Sequence, residues 1–168
     1  MTKLLPAEKR ASVNLKWPND VLVGDDKVSG LLIEMEGGLG AGQGQGGHYL
    51  VGIGVNLAEA PQVPSTGADR GRTATSLAHH GVATTPEAAR ELSLAIATAV
   101  TEWFGARAQD SAEEVAREWG ALAVWGREYR LRDDGSVVLP LGLEADGRLR
   151  VQDPATGAVR HLVAEYLH

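Results

Sequence analysis

The chain contains no cysteine, so it can form neither a disulfide framework nor a zinc site built on thiolates. Long apolar runs are also missing. None approaches the roughly 20 residues that a membrane-spanning helix requires, and no apolar signal core opens the sequence. These absences predict a cytoplasmic protein without a membrane partner.

Clustered positive charge is a third absence. The 16 lysine and arginine residues are interspersed with 22 aspartates and glutamates, which gives a formal net charge of −6. Broad capture of nucleic acid requires a concentrated basic face, so we expect no nucleic-acid partner. The length of 168 residues suits one domain, or a main domain with a small appendage.

Strand patterns dominate the first part of the sequence. A glycine-rich segment, 37–47, interrupts them and predicts a flexible hairpin tip, because it lacks the lysine-serine ending of a phosphate-binding loop. Residues 57–74 predict a long loop. The predicted strands are Val13–Trp17, Val21–Val23, Val28–Met35 and 49–56.

Two helices are predicted after this loop. Thr84 or Thr85 can cap the first, and Gly105 predicts its end. Ser111 predicts the start of the second, over Ala112–Trp119. An apolar stripe at helical spacing is expected to face the core, and it consists of Leu92, Ile96, Ala99 and Trp103.

The sequence changes character near Leu122, which predicts a first domain over 1–122 and a second over 123–168. Turn pairs recur in the second part about ten to twelve residues apart, a spacing typical of a small antiparallel barrel or curled sheet. The pairs are Asp134-Gly135, Asp146-Gly147 and Thr156-Gly157, between predicted strands at Tyr129–Arg132, Val137–Leu141, Arg148–Gln152 and Val159–Ala164.

Three short groups place polar residues or glycine where a core strand would have bulk: Lys16–Asp20, Lys27–Gly30 and Gly52–Asn56. In the first, proline removes a ladder donor and the asparagine and aspartate favour a turn, so a strand stops and presents polar groups. Glycine inside a strand often marks a close approach by a ligand. The glycines of the other two groups therefore predict a floor for a flat molecule.

These groups carry a resemblance to a known family. K-W-P-N-D at 16–20, K-x-x-G-L-L-x-E at 27–34 and G-I-G-V-N-L at 52–57 resemble the catalytic domain of biotin protein ligases. T-A-T-S-L at 73–77 is similar to a further family segment, and the C-terminal turn pattern to the family's SH3-like domain. The resemblance implies an α+β fold, with a mixed β-sheet and flanking helices as in class II aminoacyl-tRNA synthetases, followed by a small SH3-like β-barrel.

The resemblance implies a two-step reaction. ATP would activate biotin to biotinyl-5′-AMP, with Mg²⁺ accompanying ATP, and a lysine of a biotin carboxyl carrier protein would then accept the biotinyl group. Lys27 would be the catalytic residue, a cation between the biotin carboxylate and the α-phosphate. Asp20 or Asn56 would be the candidate magnesium ligand. The implied biotin-binding residues are Lys27, Gly30, Leu32, Gly52 and Gly54, and the implied ATP-binding residues are Asn19, Asp20 and Asn56.

The resemblance is broken at the family's arginine- and glycine-rich loop, G-R-G-R-x-G-R, which is not found before W-P-N-D. We therefore expect the N-terminal part of the catalytic domain to be absent and its partner strands to have exposed edges. This predicts low stability, a homodimer through sheet edges, or dependence on a separately supplied segment. An inactive fragment or interaction module of the same fold, and a lipoate-protein ligase, remain open as alternative functions.

Overall fold

The computed structural model describes residues 5–36, 48–63, 73–131 and 134–163. The predicted hairpin tip at 37–47 lies outside the described residues, as do positions 64–72 of the predicted loop and the end of the last predicted strand. Among the described residues, no helix has the length and apolar character needed to cross a membrane.

Four antiparallel strands form the first sheet in the order β1-β2-β3-β4, which confirms the four strands predicted for this region. The sheet is mixed because two isolated parallel bridges add to the antiparallel strands, one from Leu15 to Ala123 and one from Lys27 to Ala74. The strands are β1 (Val13–Lys16), β2 (Asp20–Val23), β3 (Asp26–Glu36) and β4 (His48–Val55).

Capping side chains fix the starts of the two long helices. Thr85 Oγ1 accepts a hydrogen bond from the Ala88 amide at 3.2 Å, and Ser111 forms a reciprocal capping box with Glu114. The first long helix ends at Ala106, which confirms the end predicted at Gly105 to within one residue. The helices are α1 (Ala7–Arg10), α2 (Pro86–Ala106) and α3 (Ala112–Leu122), with a short 3₁₀ helix at Ala78–His80.

The first hydrophobic core lies where α2 packs against the sheet. Leu92 is buried in it with Leu5, Val28 and Leu77, and Ile96 packs against this cluster. The other two residues of the predicted stripe, Ala99 and Trp103, lie outside the core, because Ile96 is the last residue of α2 that packs against this cluster. Ala99 is exposed and Trp103 has 45% of its surface exposed.

Gly105→Ala is expected to stabilise the protein by at most about 1 kcal/mol, because alanine is the better helix former and Gly105 lies in the last turn of α2. A Cβ at Gly105 would meet no atom within 4 Å, so the methyl group causes no clash. Urea denaturation measures the change. Gly126→Ala is the matched control: Gly126 has a φ of +74°, so alanine there should destabilise. Equal effects of the two substitutions would contradict this account.

The second sheet is an antiparallel meander in the order β5-β6-β7-β8. Gly135, Gly147 and Gly157 have positive φ angles, which confirms the three predicted turn pairs. Among the described residues, the first and last strands of this sheet are not paired with each other, so the SH3-like barrel stays a prediction. The domain boundary near Leu122 also stays a prediction. The strands are β5 (Tyr129–Arg130), β6 (Val137–Leu143), β7 (Leu149–Gln152) and β8 (Val159–Leu162).

Trp17 joins the two sheets at the end of β1. Its ring packs against the second hydrophobic cluster, and its Nε1 donates a hydrogen bond to the Gly147 carbonyl at 3.1 Å. Arg127 adds an ion pair to Asp25, with Nη2 2.8 Å from Oδ2. A cleft of about 860 Å³ lies between the sheets and is lined by both of them, including the turn after β1.

Candidate active site

Glycines leave one face of the first sheet bare. In the β3–β4 register, Gly30 is paired with Gly54 and Leu32 with Gly52. Because side chains alternate along a strand, these four positions share one face. A Cβ on Gly52 would come no closer than 3.7 Å to another atom, and one on Gly54 no closer than 3.9 Å. The structure therefore brings the predicted floor residues together, in open space above the sheet.

A β-bulge places Lys27 over this floor. Ser29 is paired with Val21 and Lys27 with Leu22, so Val28 is an extra residue in β3. Such a bulge changes the direction in which neighbouring side chains point. The ammonium of Lys27 lies 3.0 Å from the point where a Gly30 Cβ would stand. Glycine at position 30 therefore leaves room for the lysine side chain, which a Cβ there would push aside.

Asp20 holds the ammonium of Lys27 in an ion pair. Asp20 is paired with Gly30 across the strands, and its side chain is only 8% exposed, against 37% for Lys27. A buried carboxylate is costly unless a cation pairs with it, so the two side chains stabilise each other's position. The lysine still reaches the cleft, where an anionic ligand could contact it.

The two predicted asparagines use their amide hydrogens within the protein. Asn19 Nδ2 donates to the Leu31 carbonyl at 2.7 Å. Asn56 Nδ2 donates to the carbonyls of Lys27 and Thr75, at 3.3 and 3.0 Å. Since an amide group carries two hydrogens, Asn56 retains only its oxygen for a ligand, which suits a cation better than a phosphate.

The end of the predicted loop and Thr75 after it contact the lysine directly, which sequence reasoning missed. The Lys27 amide donates to the Thr73 carbonyl at 3.0 Å, and the Thr75 amide donates to the Lys27 carbonyl at 2.9 Å. Thr75 Oγ1 lies 3.1 Å from His80 Nε2. The T-A-T-S-L motif marked the segment, but nothing in its residue types indicates which strand it pairs with.

His80 predicts a pH dependence of stability. Burial lowers the pKa of its ring below 6.5, the charges of His79 and Lys9 lower it further, and Asp26 acts in the opposite direction. A histidine with a lowered pKa in the folded state disfavours folding once it is protonated. The free energy of unfolding should therefore fall as the pH drops below about 6.5, and His80→Gln should remove part of that fall. Urea denaturation across this range measures it, and identical pH dependence in the variant would contradict the assignment.

Several solved structures of biotin protein ligases share this architecture. The crystal structure of the ligase from Aquifex aeolicus aligns with a TM-score of 0.68 at 22% identity, over 97% of this chain and 68% of that one. The ligase from Leishmania major in complex with biotin aligns with a TM-score of 0.51 at 29% identity, over 95% of this chain and 60% of that one. The chain has the biotin protein ligase fold.

The part of the chain that contains the candidate site is also similar in sequence to this family. Residues 1–56 match the biotin/lipoate A/B protein ligase family. A biotin–[acetyl-CoA-carboxylase] ligase from Paracoccus denitrificans is 50% identical over 52 residues. This match covers 30% of the chain and only 20% of that ligase, so it spans about a fifth of the relative's length. The family match includes the turn after β1, Lys27 and the glycines of β3 and β4.

Proposed function

We propose that the chain acts as a biotin protein ligase, which activates biotin with ATP to biotinyl-5′-AMP and transfers the biotinyl group to a lysine of a biotin carboxyl carrier protein. The observation that carries the proposal is the ammonium of Lys27 over Gly30, beside the bare face of Gly52 and Gly54. A related ligase from Leishmania major, 27% identical with a TM-score of 0.52, was solved in complex with biotinyl-5-AMP.

The floor suits biotin, whose compact fused rings are apolar at the thioether and polar at the ureido group. Leu32 provides apolar contact beside the glycines, and its side chain is exposed to a ligand. In the first step, a biotin carboxylate oxygen bonds to the α-phosphorus of ATP while pyrophosphate leaves. Lys27 lies where it can neutralise both anions, and Asp20 holds it there. In the second step, the carrier amine bonds to the biotinyl carbonyl carbon and AMP leaves.

The nucleotide side of the proposed site is the cleft between the two sheets. Asn19 and Asp20 lie at the turn that enters it, and Lys16 contributes a cation above the Tyr129 ring, 5.5 Å from its centre. Magnesium would balance the phosphate charge, and Asp20 or the Asn56 side-chain oxygen would hold it. Among the described residues, no group of three or more histidine, cysteine, aspartate or glutamate side chains could hold a metal ion by itself.

The test is product formation by the purified full chain with ATP and magnesium, offered biotin or lipoate. Biotinyl-5′-AMP detected by mass spectrometry, without lipoyl-AMP, is the expected result. Lipoyl-AMP instead would favour a lipoate ligase, which the name of the matching family includes. If neither product forms, the proposal is contradicted and a non-catalytic module of the same fold is favoured.

A second part of the proposal is a homodimer through the edge of β4. Among the described residues this strand pairs with β3 alone, and Tyr49 and Leu50 on it are exposed. Antiparallel pairing of two such edges would satisfy their main-chain groups. Light scattering after size-exclusion chromatography should give twice the mass of one chain. A concentration-independent monomer would contradict this part alone.

A further inference from the structure

The main chain of Lys27 is clamped by the segment 73–75. Its amide and its carbonyl are bonded to Thr73 and Thr75, at 3.0 and 2.9 Å. The clamp lies at the β-bulge, where the regular ladder to β2 is interrupted. The position of the lysine therefore depends on a segment distant from it in sequence as well as on its own strand.

His80 fixes the other side of this clamp. Thr75 is 5% exposed, and its hydroxyl is bonded to His80 Nε2 at 3.1 Å. The 3₁₀ helix that carries the ring is itself anchored, since the Leu77 amide donates to the Asn56 carbonyl at 2.8 Å. A continuous path of hydrogen bonds thus runs from His80 through Thr75 to the Lys27 carbonyl.

We propose that His80 is a positioning residue. It keeps the Lys27 ammonium in place over Gly30 by fixing Thr75 against the main chain of the lysine. This inference rests on the proposed function. Loss of the ring leaves the buried Thr75 hydroxyl without its partner, which favours a shift of the segment. Small displacements of a catalytic group have large effects on rate, so the loss should be visible at the site.

Kinetics of biotinyl-5′-AMP formation supply the first test. We expect His80→Ala to lower kcat about five- to tenfold at a temperature where the protein stays folded. His80→Gln can restore a hydrogen bond to Thr75 and should recover most of the rate. His161→Ala is the matched control, because its exposed ring lies on β8 beside Glu144 and outside the path. Equal rates for wild type and His80→Ala would overturn the proposal.

A double-mutant cycle separates positioning from a general loss of stability. Thr75→Val removes the hydroxyl and keeps the main-chain clamp, so it should reproduce the effect of His80→Ala. The double variant should be no slower than either single one, because both remove the same bond. Additive losses would mean that the two residues act independently, and would overturn the proposal.

The Lys27 side-chain signal in ¹⁵N-resolved NMR provides a readout that needs no turnover. His80→Ala should shift this signal and speed hydrogen exchange at the Thr75 amide, whereas His80→Gln and His161→Ala should not. Unchanged signals and exchange in His80→Ala would overturn the positioning role. Absence of product from the wild-type chain would instead contradict the proposed function, and the NMR result would still decide the positioning.

Discussion

Lys27→Ala is expected to lower the rate of biotinyl-5′-AMP formation about 100- to 1000-fold. The described floor residues Gly30, Leu32, Gly52 and Gly54 are uncharged, so the variant loses the cation beside the floor that faces the two approaching anions. Preorganised charge is commonly the largest single contribution to such a step. Product formation under saturating biotin and ATP measures the effect. Lys9→Ala is the control, because Lys9 is an exposed lysine of α1.

The substitution also leaves Asp20 buried without its cation, so a loss of activity could come from a loss of folding. Lys27→Ala combined with Asp20→Asn resolves this, because the amide removes the unpaired charge. We expect the double variant to regain melting temperature and to remain inactive. Recovery of activity together with stability would contradict a catalytic role for the lysine.

Gly54→Val is expected to weaken biotin binding at least about 100-fold while the melting temperature stays at or above that of the wild type. A Cβ at this position meets nothing closer than the Gly30 carbonyl at 3.9 Å, so the protein has room for it. β-branched residues also favour strands. Biotin affinity is lost because the valine side chain occupies the space proposed for biotin and keeps biotin from packing against the floor.

Isothermal titration with biotin, beside thermal unfolding, tests this separation of binding from folding. Ile53→Val is the matched control, because it changes the opposite face of the same strand. It should cost about 1 kcal/mol of stability at most and leave binding unchanged. Gly54→Val with wild-type affinity would show that the bare face is not the ligand site.

Local residue patterns were sufficient to predict the strands, the helix starts and the glycine floor. Thr85 and Ser111 are cap residues by chemistry, and glycines at alternate positions of β3 and β4 share a face whenever the strands pair in register. The helical spacing correctly predicts that Leu92 and Ile96 face the core. It wrongly predicts a core position for Trp103, because the burial of that turn depends on how far the sheet extends beneath the helix.

Contacts distant in sequence could not be predicted. The bulge at Val28 arises from the pairing of β2 with β3, and no residue type in K-V-S-G specifies it. The clamp on Lys27 requires a segment nearly fifty residues later to lie beside it. The contact of Trp17 with the second sheet could not be predicted either, because its hydrogen-bond partner Gly147 lies 130 residues later in the sequence. Each of these depends on tertiary packing rather than on local propensity.

The most direct test of the central claim is the response of the Gly30, Gly52 and Gly54 amides to biotin in two-dimensional NMR. The glycine face is predicted to be the biotin floor, so these three signals should shift and saturate together as biotin is added. The signal of Gly105, on α2 and remote from the floor, should stay in place. Biotin that leaves the three glycines unchanged, or binds while shifting only other residues, would contradict the assignment of this face as the biotin site.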